Sequence, residues 1–147
     1  MLINVSSGRV SSGIIVGLQN DSMFVRSGGV ASWTTVIGNG SMSILGGGMA
    51  NKTTVYDYGD VYVYDGGVAD STTVGSDGFF YVYGGVAQNT IICAGGSMYV
   101  SGLANSVSVN KGGTLAILNG GTALNVSWTP FAGNLQIDNG IITFASN

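Results

Sequence analysis

Apolar residues in this chain come in pairs separated by one position, and the pairs recur at a nearly fixed interval. One set reads Ile14/Val16, Thr34/Val36, Thr53/Val55, Thr72/Val74, Thr90/Ile92, Val107/Val109 and Val126/Trp128. Its last members are 20, 19, 19, 18, 17 and 19 residues apart. A second set reads Ile3/Val5, Met23/Val25, Met42/Ile44, Val61/Val63, Phe80/Val82, Met98/Val100, Leu115/Ile117 and Leu135/Ile137. Alternation with a period of two puts each pair on one face of a short strand. The paired side chains face a core, and the residues between and beside them face out.

Glycine punctuates the strands at fixed places. Gly40, Gly59, Gly78, Gly96 and Gly113 stand just before the second-set strands. Gly28-Gly29, Gly47-Gly48, Gly66-Gly67, Gly84-Gly85, Ser101-Gly102 and Gly120-Gly121 close them, which reads as turns that need positive φ. A small residue follows at Ala31, Ala50, Ala69, Ala87, Ala104 and Ala123, with Ser11 in the first unit, and suggests a pinched corner. A meander of hairpins gives no reason for the same column to recur in every unit. A parallel solenoid does, because each residue then stacks on its counterpart about 4.8 Å away in the next coil. The pattern therefore predicts an all-β fold: a right-handed, single-stranded parallel β-helix (β-solenoid) of about eight short coils, about 38 Å tall.

The chain is read as a single β-solenoid domain over 1–147, with repeats over about 3–126 and a diverged terminal coil or partial cap over 127–147. In that cap Trp128, Pro130 and Phe131 replace small and polar residues, Leu135 and Ile137 stay in register, and "GIITF" begins a further first strand. The inward Thr34, Thr53, Thr72 and Thr90 form a polar ladder. Their hydroxyls are expected to hydrogen-bond along the stack or to the backbone, since unpaired buried hydroxyls are costly.

Composition agrees with strands and narrows the chemistry. Of 147 residues 26 are Gly, only 7% are charged, and Glu and His are both missing. The formal charge is −3, and the four basic residues, Arg9, Arg26, Lys52 and Lys111, form no patch. Nucleic acid is thus disfavoured as a partner, because binding it needs clustered Lys and Arg. Cys93 has no second cysteine to pair with and no histidine to activate it. No apolar run approaches the roughly 18 residues of a membrane helix, so no membrane insertion of this segment is expected. An export signal, if the chain is secreted, lies outside this sequence.

The phrases "GGVASWTTV", "GGMANKTTV", "GGVADSTTV" and "GGVAQNTII" resemble the roughly 19-residue repeats of AIDA-type autotransporter adhesins. The resemblance runs from about residue 4 to 126. It implies a right-handed parallel β-helix passenger segment, extracellular or displayed on a bacterial cell surface, structural or adhesive, and active in cell adhesion or self-association. It also implies Ser and Thr as acceptors of O-linked sugar. The expected partners are a glycan or a host or bacterial surface protein, or further copies of the chain through solenoid ends or faces. The alternative is a carbohydrate-binding or carbohydrate-active β-helix, with an ice-binding solenoid as a minor one.

Candidate chemistry is sparse. The outward column of the second-set strands reads Phe24, Ser43, Tyr62, Tyr81, Tyr99, Ala116 and Gln136, and the next adds Leu45, Tyr64, Tyr83 and Leu118. Tyr62, Tyr64, Tyr81, Tyr83 and Tyr99 form the candidate ligand-binding face, since aromatic rings with a polar tip suit sugars and proteins. The same rings also stiffen a sheet by stacking on one another with no ligand at all. Asp57, Asp60, Asp65 and Asp77 lie close in the coil alignment, but Asp in a glycine-rich turn is usually there for the turn. No residue is assigned to catalysis, no metal site is identified and no cofactor is called for. Thr35, Thr54 and Thr73 form a short outward row, flanked by the uneven column Trp33, Lys52, Ser71 and Asn89. Asn51 and Asn125 open Asn-x-Ser/Thr triplets that carry little weight in so Asn- and Ser-rich a chain.

Overall fold

A computed structural model describes residues 1–129 and 133–146; Pro130 and Phe131 of the expected cap lie outside the described residues. All regular elements among the described residues are strands. Eight of them, Leu2–Val5, Ser22–Val25, Ser41–Ile44, Asp60–Tyr64, Phe79–Tyr83, Ser97–Val100, Gly113–Ile117 and Gly133–Ile137, stack in chain order into one sheet. Every pairing in it is parallel and in register. The remaining strands build a second sheet with two arms, also from parallel pairs. In the early coils the arms are separate strands, such as Val30–Ser32 and Thr35–Val36. In later coils one strand, such as Val86–Ile92 or Leu103–Val109, runs through both. The molecule is a parallel β-solenoid of short coils.

The sequence columns are the register. Val16 pairs with Val36, Val36 with Val55, Val55 with Val74, Val74 with Ile92, Ile92 with Val109, and Val109 with Trp128. Parallel stacking places like on like, so a side chain that fits one coil fits the next. The core is filled by these columns: Val16, Val36, Val55, Val74 and Ile92 from one side, and Met23, Met42, Val61, Phe80, Met98 and Leu115 from the other, all fully buried. Ala31, Ala50, Ala69, Ala87, Ala104 and Ala123 are also fully buried, which keeps the column small between its two ends, where Ser11 and Ile142 stand.

Four expectations need correction. The hydroxyls of Thr34, Thr53, Thr72 and Thr90 are buried and have no hydrogen-bond partner among the described residues. No hydroxyl of this column reaches the next one, although register partners elsewhere do bond, as Ser41 Oγ donates to Ser22 Oγ at 3.2 Å. The backbone carbonyls nearby are taken by the ladder, as in Thr54 N–H to Thr34 O and Thr73 N–H to Thr53 O. Ala116, expected to face out, is 1% exposed, its methyl shielded between its register neighbours Tyr99 and Gln136. Leu135 and Ile137 keep register with Leu115 and Ile117 yet are 36% and 46% exposed, because Gly133–Ile137 is the last strand of its sheet and only one side of it is covered. Positive φ explains only the first glycine of each closing pair. Gly47 has φ +79°, whereas a Cβ on Gly48 would lie 2.4 Å from the carbonyl oxygen of Val25 in the coil before. The second glycine is there for close approach of two backbones.

Candidate functional site

Two surfaces run along the solenoid axis, one on each sheet. The first is the tyrosine face. Asp60–Tyr64 and Phe79–Tyr83 pair Tyr62 with Tyr81 and Tyr64 with Tyr83, and the next strand pairs Tyr81 with Tyr99. The rings of Tyr62 and Tyr81 stack at 5.0 Å and 9°, and those of Tyr81 and Tyr99 at 5.2 Å and 12°. Tyr81 and Tyr83 stack at 5.7 Å, and Phe79 adds a ring 6.4 Å from Tyr81. All five predicted tyrosines thus form one surface. Tyr62, Tyr81 and Tyr99 are half-buried beneath one another, while Tyr64 and Tyr83 are 38% and 44% exposed.

The stack alters its own acid–base chemistry. Burial, aided by the nearby Asp60 carboxylate, pushes the Tyr81 phenol up to about 12 and raises that of Tyr62. Burial also raises the Asp60 carboxyl. Both effects arise because an ion is poorly solvated against a wall of rings. The Tyr62 and Tyr81 phenols therefore stay neutral well above physiological pH and keep an O–H to donate at the rim of an apolar surface.

The other acidic candidates do not converge. Asp57 and Asp77 sit at φ +50° and +56° in turns of successive coils, and the Tyr58 N–H donates to the Asp77 carbonyl at 2.8 Å. Asp tolerates the left-handed conformation better than most residues, so the backbone alone accounts for it here. Among the described residues no three carboxylates or thiols gather in a metal-binding group.

The second surface was not foreseen. The uneven column Trp33, Lys52, Ser71 and Asn89 is regular in one respect: each residue is left-handed, with φ between +55° and +59°. Gly13, Ser106 and Asn125 continue it at +69°, +60° and +53°. Here each coil turns from one arm of the second sheet into the other. Lys52 lies 4.2 Å over the Trp33 ring and closes the surface in the early coils. From the fourth coil onward the corner residues are small or amidic, and a groove of about 440 Å³ opens between them and the second arm. Amides link neighbouring coils beside it: Asn89 Nδ2 donates to Asp70 Oδ1 at 2.9 Å and Asn125 Nδ2 to Asn105 Oδ1 at 2.8 Å. The outward threonine row enters the same wall. Thr73 stacks on Thr54 and is followed by Ile91, Ser108 and Ser127, so the row loses its threonines after three coils. Asn at two corner positions was the signal in the sequence, and Trp and Lys, poor formers of left-handed turns, concealed it.

No family model and no curated protein matches the chain. Among solved structures it is similar to a hyper-glycosylated TibA fragment, residues 55–350, whose glycosylation was catalysed by TibC. The TM-score is 0.83 at 28% identity over 97% of this chain, which spans 60% of that fragment. The match extends to structure the resemblance to AIDA-type autotransporter adhesin repeats that the Gly-Gly and Thr-Thr-Val phrases carry.

Proposed function

We propose that this chain is a non-catalytic, structural and adhesive repeat segment of a bacterial surface protein. It acts as one domain wound right-handed, like other parallel crossovers, and its contact surface is the tyrosine face. The observation that carries this reading is the ladder of Tyr62, Tyr81 and Tyr99 at 5.0 and 5.2 Å, with Tyr64 and Tyr83 exposed at its edge. A flat, neutral aromatic patch on a stiff sheet offers large contact area at little cost in side-chain entropy. The likeness to the TibA fragment supports placement at the cell surface, and the hyper-glycosylation of that fragment supports exposed Ser and Thr of this chain as sugar acceptors.

The test is adhesion of microbeads coated with the purified chain. Coated beads are expected to clump with one another or to attach to epithelial and bacterial cells, and Tyr64→Ser/Tyr83→Ser is expected to reduce this several-fold without lowering thermal stability. Tyr62→Ser/Tyr81→Ser is expected to reduce it further but also to loosen the sheet, since each stacked pair contributes about 0.5–1.5 kcal/mol. Beads that neither clump nor attach, or that do so equally with both variants, would overturn the assignment.

A further inference from the structure

The groove on the second sheet has a repeat and a lining that point to a ligand. One wall is the left-handed corner, contributed by Ser71, Asn89, Ser106 and Asn125 in four successive coils. The other is the outward column of the second arm, where Thr73, Ser108 and Ser127 flank Ile91. Its lining carries no charge; the Asp70 carboxylate accepts from two of the lining residues, the Asn89 amide and the Ser71 hydroxyl. Each inter-coil amide bond uses only one end of a groove-lining asparagine: Asn89 and Asn125 donate through Nδ2, so their Oδ1 ends remain for a ligand. Ile91, 44% exposed, supplies an apolar patch among these polar groups. A second hollow of about 360 Å³ shares Ser108, Ser127 and Ala145 with the first and continues it toward Trp128.

We propose that this groove binds a linear, neutral polysaccharide lying along the solenoid axis. A hydroxyl or an amide stands at the corner of each coil, about every 4.8 Å, with the amides in alternate coils. That spacing is close to the rise per sugar of an extended pyranose chain, so each successive sugar meets a polar corner residue, a hydroxyl and an amide in turn. Paired amide and hydroxyl groups can both donate and accept, as sugar hydroxyls require. The C–H face of a pyranose packs on Ile91. An anionic chain finds no cation in the lining to neutralise it. The site lies on the other sheet from the tyrosines, so it stands whether or not that face is adhesive.

The experiment measures binding of the full chain to linear glucan, mannan and xylan oligosaccharides, from monosaccharide to hexasaccharide. Affinity is expected to climb with each sugar up to the tetrasaccharide for at least one series and then level off, because four corner residues line the groove. Ser108→Phe, which fills it, is expected to weaken binding at least tenfold. Asn89→Gly/Asn125→Gly is expected to do the same; it removes the amides while keeping the left-handed corner relaxed, and so retains the fold even where the Phe variant does not. Tyr64→Ser/Tyr83→Ser is expected to leave binding unchanged. Failure of every series to bind, affinity that does not depend on length, indifference to both groove variants, or equal loss in the tyrosine variant would each overturn the assignment. So would a change in the sedimentation of the unliganded chain caused by Ser108→Phe without any sugar binding, which would show a second copy in the groove.

Discussion

Thr53 shows how a residue can be fixed by its column and still cost stability. It is 1% exposed and its hydroxyl has no partner, as for Thr34, Thr72 and Thr90. The same column holds Ile14, Val107 and Val126 in other coils, so an apolar side chain fits there. Thr53→Val should therefore raise the free energy of unfolding by about 1–2 kcal/mol, through removal of an unsatisfied hydroxyl at nearly constant shape. Urea unfolding measures this; a loss of stability instead would show that the hydroxyl is satisfied in solution. Tyr81 gives the second prediction at this scale. Its phenol titrates near 12 in the fold against an ordinary 10.0. The folded state thus holds this proton more tightly than the unfolded one. The stability it contributes is intact below about pH 10 and is lost as pH rises toward 12. Tyr81→Phe should remove a late-ionising phase from the ultraviolet tyrosinate titration and flatten the alkaline decline.

Strands here are short, and the turns between them decide where they start. Gly59 precedes Asp60–Tyr64, and a Cβ there would sit 2.3 Å from the Val36 carbonyl oxygen of the coil before. That oxygen cannot retreat, because it accepts from the Tyr56 N–H at 3.1 Å in the inter-coil ladder. Gly59→Ala should cost about 2–4 kcal/mol, far more than the few tenths of a typical surface change. The midpoint of urea unfolding reads this directly, and wild-type stability in the variant would contradict the close approach. The left-handed corner is the counterpart within the second sheet. There Trp33 and Lys52 accept a strained φ while stacking on each other at 4.2 Å, and the later coils use Asn, which tolerates that conformation more easily.

A solenoid is stabilised coil by coil through contacts with immediate neighbours. Val55 and Val74 are register partners, so deleting residues 56–74 removes one coil and joins equivalent points of its neighbours. The shortened chain should fold with a β-sheet circular dichroism spectrum and a modestly lower melting temperature. Deleting only residues 56–64 should abolish cooperative melting, because every later column falls out of phase. If the two deletions behaved alike, in-register stacking would not be what holds the molecule together.

The sequence by itself determined the architecture. Parallel stacking forces chemically similar residues into columns, so a nearly constant step between Val16, Val36, Val55, Val74, Ile92, Val109 and Trp128 reports the coil length directly. It also placed the five tyrosines on one face, since strand alternation fixes which side chains point outward. The tertiary structure alone decided what depends on angles between strands and on distances between coils. It turned the irregular string Trp33, Lys52, Ser71 and Asn89 into one left-handed corner, because φ is not a property of residue type when packing can override preference. It left the inner threonine hydroxyls without partners among the described residues, where the carbonyls beside them already accept from the inter-coil ladder. It opened a groove beside Asn89 and Asn125, because a hollow exists only where two arms of a sheet meet at an angle that no local pattern records.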